Sequence, residues 1–278
     1  MTHLSRSFWL FVCLCVLAYG FGLAGAMFFP SQLPGALIGR TALTLGGVAL
    51  LLSGSRRLLR RDGFPADALG LRLTLPHARG FVLGVVGGLL FIALIAAALA
   101  MQVPIHWEKG LLPLPDAAFA AHTYFWTGFG EELIFRGYAL VVLSCYLGPR
   151  KAVWALALPF ALFHLPGMGM GIAAAKMIAT TGAMSMVFSH SFLRTGTLWT
   201  AVGLHATTNI SIHTLTGLDG AGKDTVWRQI FGLWPTGYDA GFWTAIAVTS
   251  LIVVLLGRKI DQRFFGRIPE SGTRGAGE

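Results

Sequence analysis

Charge is what this chain has least of. Of 278 residues only 12% are charged, with 12 Asp and Glu in total, whereas an ordinary soluble domain carries about a quarter. That scarcity, with 55% hydrophobic residues and a mean hydropathy of +0.68, excludes a typical soluble globule and implies a polytopic membrane protein. Cysteine is nearly absent too. Cys13, Cys15 and Cys145 all fall in apolar stretches and form no Cys-x-x-Cys pair, which excludes a disulfide framework and a thiolate zinc site. No internal repeat, low-complexity tract or His-Glu-x-x-His zincin signature is present.

The net charge of +9 would suggest nucleic acid in a soluble domain. Here the basic residues lie in short segments beside helix ends, so topology and contact with anionic lipid explain them, and no nucleic-acid partner is expected. The apolar run Ser7 to Phe29 exceeds the roughly 7–15-residue core of a cleaved signal peptide, so it is expected as an uncleaved first helix. Further spans are predicted near 34–53, 80–103, 118–147, 151–165, 168–192, 195–215 and 240–257. The fold class is therefore all-α, a polytopic membrane helix bundle of about eight transmembrane helices. Fifteen Lys and Arg residues fall on one side of that layout, including the run Arg56-Arg57-Leu58-Leu59-Arg60-Arg61, and Lys109, Lys223 and Arg228 fall on the other. The positive-inside rule then puts both termini in the cytoplasm. Arg40, Arg136 and Lys176 remain inside spans.

Against this background two adjacent glutamates, Glu131 and Glu132, stand out. An ionisable residue in a membrane segment marks a functional site by default, because unpaired charge there is costly. Residues four apart share a helix face, so Glu132 and Arg136 are expected to pair, while Glu131 points elsewhere. A carboxylate withdrawn from water is a stronger base, which suits proton transfer, and Glu131 is the candidate base. His164 closes the run Phe160-Ala161-Leu162-Phe163-His164; alone it would serve equally well at an aqueous interface. His205 and Asn209 are again four apart, two donors aimed at one point. They could stabilise negative charge on a carbonyl oxygen or simply join two helices. Taken together, these residues on three spans have the composition of a hydrolytic site sunk in the membrane.

In this respect the chain resembles the CPBP family of intramembrane endopeptidases, which includes type II CAAX prenyl proteases and Abi proteins. The family pattern Glu-Glu-x-x-x-Arg matches Glu131, Glu132 and Arg136, Phe-x-x-x-His matches Phe160 and His164, and His-x-x-x-Asn matches His205 and Asn209. The resemblance covers about residues 118–215. It implies a metal-independent glutamic mechanism in which Glu131, assisted by His164, activates water, and His205 and Asn209 stabilise the oxyanion. Glu132 and Arg136 would be mainly structural. The implied partners are the lipid bilayer and a membrane-anchored protein or peptide substrate, hydrolysed at a peptide bond.

On this reading the chain divides into N-terminal helices and loops (1–117), a catalytic core (118–215), and an extracytoplasmic loop with the last span and a cytoplasmic tail (216–278). No cofactor is expected. The alternative is zinc on Glu131, His164 and His205, which no zincin motif supports. Compact loops suit a bacterial inner membrane. Asn209-Ile210-Ser211 lies too deep for glycosylation, His122, His190 and His213 are given no catalytic role, and Gly167 to Gly171 is no phosphate loop. Ser271 to Glu278 has a disordered composition. Two non-enzymatic alternatives stand beside the protease: a membrane immunity or adaptor protein on the same scaffold, and a proton-coupled transporter, against which the lack of paired repeats argues.

Overall fold

The structure, a computed structural model, describes residues 3–30, 35–65, 67–102, 105–110, 112–166, 171–216, 227–231 and 237–257. The chain is built from helices: α1 (His3–Phe28), α2 (Ala36–Arg61), α3 (Leu75–Ala100), α4 (Leu114–Glu132), α5 (Ala139–Leu147), α6 (Pro149–Phe163), α7 (Ile172–Thr195), α8 (Leu198–Asn209) and α9 (Gly237–Gly257). A π-helical stretch, Leu133–Tyr138, joins α4 to α5, and a second, Ile210–Thr216, continues α8. With these joins counted, the described residues form eight helices. Four of them, α1, α2, α3 and α7, are long and apolar enough to cross a membrane, and the chain is an integral multi-pass membrane protein. Large apolar side chains lie bare on the outside, Trp9, Val16, Leu90 and Trp154 among them, where water would oppose them and lipid does not.

Several boundaries differ from the sequence expectation. The apolar window of the second span covers 34–53, but α2 runs on through Arg56, Arg57 and Arg60 to Arg61. Falling hydropathy ends an apolar window, whereas a helix ends only where its backbone does; arginine is a good helix former and suits a C-terminal turn. The expected span 118–147 is one long rod broken in the middle, where Gly137 takes φ −69°, ψ −122°. An antiparallel ribbon, β1 (Ile105–Lys109) with β2 (Trp227–Phe231), pairs Trp107 with Gln229 and tethers the segment after α3 to that before α9. The all-α expectation did not include it. Residues 167–170, Lys223 and the tail 258–278, with the disorder expected at Ser271 to Glu278, lie outside the described residues.

Packing places the motif helices. α3 lies on α8, α1 on α2, α6 on α7 and α7 on α9. The α3–α8 seam uses Gly80, Gly84 and Gly88, one per turn. A Cβ on Gly84 would run into the Thr200 carbonyl oxygen and come within 2.9 Å of the Leu204 nitrogen. Backbones can meet this closely only where side chains are missing. Gly196, at φ 67°, ends α7 in the left-handed conformation, and Thr197 then caps α8, its Oγ1 accepting from Trp199 N and donating to the Gly70 carbonyl at 2.7 Å. The loop after α2 is pinned at its other end. Asp62 accepts from Ser7 Oγ of α1 at 2.7 Å and from Tyr138 Oη of the π stretch at 2.6 Å.

Candidate active site

Glu131 and Glu132 close α4, and the chain turns π-helical at the next residue. The wider π turn is rare and recurs at functional sites. Glu132 and Arg136 are both fully buried and paired, Arg136 Nη1 to Glu132 Oε1 being 3.1 Å. Three further hydrogen bonds hold the guanidinium. Nε donates to Ser189 Oγ at 3.3 Å, and Nη2 donates to the Ser185 carbonyl at 2.9 Å and to Ser185 Oγ at 2.7 Å. Its carbon lies 4.4 Å from the centre of the Phe160 ring and 5.3 Å from that of Phe188. Such a pair survives burial because nearly every proton has an acceptor and an aromatic face shields the charge. Arg136 thereby locks α7 against the end of α4.

His164 follows α6 and its Nδ1 lies 2.8 Å from the Phe160 carbonyl. A carbonyl only accepts, so Nδ1 carries the proton and Nε2 presents a lone pair. His205, on α8, repeats the arrangement: its Nδ1 lies 2.7 Å from Glu132 Oε1, and an ionised carboxylate also only accepts. Both Nε2 atoms face Glu131 Oε2, at 3.6 Å from His164 and 3.8 Å from His205. Those separations exceed a hydrogen bond. Glu131 Oε2 is buried and without a hydrogen-bond partner, as is Glu132 Oε2. A buried carboxylate oxygen left unmatched is costly, and such groups in native structures cluster at functional sites.

Glu131 also forms part of the wall of a cavity of about 410 Å3 enclosed by α1, α2 and α4, with Phe163 of α6. Of the clustered residues, Glu131 is the one that lines this cavity. The three atoms converging on that point match in kind the donors of a catalytic zinc site. Among the described residues, however, no group of three His, Cys, Asp or Glu side chains is spaced to hold a metal ion.

Five of the six residues expected from sequence are thus brought together: Glu131, Glu132, Arg136, His164 and His205. Asn209 lies one turn beyond His205, half-buried at the junction with the π stretch, and enters none of the site's hydrogen bonds among the described residues. Three neighbours escaped the sequence reading. Phe188 stacks on His205, and Ser185 and Ser189 hold Arg136; the available signal was two hydroxyls four apart in an apolar helix, beside a phenylalanine. Of the other histidines, His122 accepts from Trp126 Nε1 at 3.0 Å and lines the cavity. His213 stacks on Tyr124 and His190 is buried near Gly257.

The family model described as type II CAAX prenyl endopeptidase Rce1-like matches residues 112–211. No curated protein matches the chain. The matched stretch begins just before α4 and ends just after Asn209, so it contains every residue of the buried Glu131, Glu132 and His205 cluster and the side chains that hold it. Over residues 112–211 the chain is therefore similar to the Rce1-like type II CAAX prenyl endopeptidases.

Proposed function

We propose that the protein is an intramembrane endopeptidase that hydrolyses a peptide bond of a membrane-anchored protein or peptide. One observation carries this reading: Glu131 Oε2, buried and unpartnered, faces the Nε2 atoms of His164 and His205 beside a cavity. A water held between Glu131 and His164 loses a proton to Glu131 as its oxygen bonds to the carbonyl carbon. The oxyanion takes hydrogen bonds from His205 Nε2 and the Asn209 amide. Donation from Nε2 requires His205 to carry both ring protons in that step, with Glu132 accepting from Nδ1. As the tetrahedral intermediate collapses, the C–N bond breaks and Glu131 returns the proton to the leaving nitrogen. Glu132 and Arg136 do not touch the substrate; they position His205 and α7.

The same proposal includes an eight-span layout with both termini in the cytoplasm of a bacterial inner membrane, residues 118–215 forming the catalytic core between the helices of 1–117 and the segment 216–278. Nothing in the cavity demands a prenylated cysteine, so acceptance of a prenyl group is a property to test.

The test compares protein termini by mass spectrometry in membranes of cells lacking the gene and complemented at matched expression with wild type or Glu131→Gln. New termini are expected with wild type only. A phenotype rescued equally by both, with no differing termini, would overturn the protease reading in favour of an immunity or adaptor scaffold. Activity of purified protein is expected to survive exhaustive chelation; loss on chelation and recovery on adding zinc would assign Glu131, His164 and His205 to a metal instead.

A further inference from the structure

A second cavity, of about 520 Å3, opens on the outside of the bundle between α6, α7 and α9. The mechanism leaves it unused. α7 packs against both α6 and α9, so it forms the floor of a groove that the other two helices wall. Small residues keep that floor low: a Cβ on Gly182 would lie 3.7 Å from Ala161 Cβ, and Ala179 and Ala183 adjoin it. The rim is tall, because Trp154 and Leu158 stand 67% and 56% exposed. A slot of this shape, on a face that lipid covers, admits a narrow apolar chain.

The lining residues run in helical steps that end in positive charge. On α7 Ile178, Gly182 and Met186 line the groove, and the next residues on that face are His190 and Arg194. On α6 Leu158 and Trp154 line it, and one turn back on the same face is Arg150. Both arginines are exposed, and neither is paired with a carboxylate among the described residues. Their charges reach His190, so cations from two helices gather at one end of the groove. His190 itself is buried, and its Nδ1 has no hydrogen-bond partner. Its Nε2 edge faces Gly257 at the end of α9, where a Cβ would lie 3.8 Å away. α6 also begins at this end, at Pro149, with no side-chain cap, which adds the positive end of its dipole.

The length suits one leaflet. Met186 to Ile178 spans about 12 Å at 1.5 Å per residue, close to half of the roughly 30 Å hydrocarbon core. A chain whose headgroup sits at the basic end therefore lies along the groove toward the bilayer centre. An uncharged lipid, or an apolar helix from a partner, would leave both arginines unmatched, whereas phosphate oxygens accept charge-assisted hydrogen bonds from guanidinium groups.

We propose that the groove between α6, α7 and α9 binds one anionic phospholipid, with an acyl chain along α7 and the phosphate at Arg150 and Arg194 beside His190. The site is independent of the endopeptidase reading.

Full-length protein in detergent is titrated with dioleoyl phosphatidylglycerol and with dioleoyl phosphatidylcholine, and bound lipid is counted by native mass spectrometry. The first phosphatidylglycerol is expected to bind roughly tenfold more tightly than phosphatidylcholine. Arg150→Gln/Arg194→Gln should remove that preference, whereas Arg57→Gln/Arg60→Gln, at exposed positions of α2, which does not line the groove, should keep it. Ser250→Trp, which fills the groove from α9, should lower the affinity for both lipids by roughly tenfold. Glycerol phosphate, which lacks the acyl chains, should not compete. No preference for phosphatidylglycerol, including no binding of either lipid, overturns the proposal. So does a preference that survives the Arg150 and Arg194 changes, or an affinity unmoved by Ser250→Trp, in folded protein. An equal loss in the α2 pair would mean diffuse charge alone, displacement by glycerol phosphate would mean a free-anion site, and a dimer that Ser250→Trp dissolves would make a second copy of this chain the occupant; each of these also overturns it. Where melting curves show Ser250→Trp to be unfolded, the competition with glycerol phosphate decides whether the acyl chain contributes.

Discussion

Phe188 lies flat against His205, with ring centroids 4.5 Å apart and planes within 13° of parallel. Both rings are buried, and Phe188 touches the Arg136 guanidinium as well. The imidazole is therefore fixed in two ways, by Glu132 at Nδ1 and by a ring on its face. Phe188→Leu keeps most of the volume but removes the flat support. Stacking of this kind contributes about 0.5–1.5 kcal/mol, so a fall in kcat of roughly tenfold is expected, with little change in KM. A peptide-cleavage assay, run beside a melting curve to confirm that the protein remains folded, checks it.

The Glu132–Arg136 pair yields a contrast between single and double variants. Arg136→Met leaves Glu132 buried without its cation and strips Ser185 and Ser189 of their donor. Removing one partner of a buried pair costs about 3–5 kcal/mol. In Glu132→Gln/Arg136→Met the stranded charge is gone and the amide oxygen still accepts from His205 Nδ1. Much of the lost stability should return, while Arg136 no longer ties α7 to the site and activity stays low. Thermal unfolding of wild type, Glu132→Gln, Arg136→Met and the double variant in one detergent measures the coupling.

Gly84 and Gly87 form an internal control on one helix. Gly84→Ala drives a methyl group into the Thr200 carbonyl, backbone against backbone, whereas a Cβ on Gly87 meets only the tip of Leu204 at 3.4 Å. Overpacking of the first kind costs about 1–3 kcal/mol. Gly84→Ala is expected to lower both the melting temperature and the activity, because α8 carries His205, and Gly87→Ala to change neither appreciably.

Thr197 both caps α8 and reaches back to Gly70. Its replacement by Ala should cost about 1–2 kcal/mol, and Ser should restore most of it. If Thr197→Ala melts like wild type, the cap contributes nothing in the membrane.

Much of the site could be read from spacing. Four-residue intervals give shared faces on a helix, so the pairing of Glu132 with Arg136 and the separate direction of Glu131 needed no coordinates. What brings Glu131, His164 and His205 to one point was not readable, because it depends on where α6 and α8 lie in space. Ser185, Ser189 and Phe188 offer only a faint signal, two hydroxyls four apart beside a phenylalanine; they matter because Arg136 and His205 reach them. Hydropathy likewise located the helices but not the π stretch after Glu132, since a change of winding leaves composition untouched. The ribbon between β1 and β2 joins strands more than a hundred residues apart, beyond the reach of any local pattern.

The Asp62 bridge bears on how little of the chain can stand alone. Ser7 of α1 and Tyr138 of the π stretch meet on the two oxygens of that carboxylate, and Tyr19 and Leu23 of α1 wall the cavity beside Glu131. The matched region begins at residue 112, well after both. A helix that reads from its composition as a membrane anchor is thus one side of the cavity beside Glu131, and a fragment trimmed to the matched region would keep every residue of the three motifs while laying that cavity open to the bilayer.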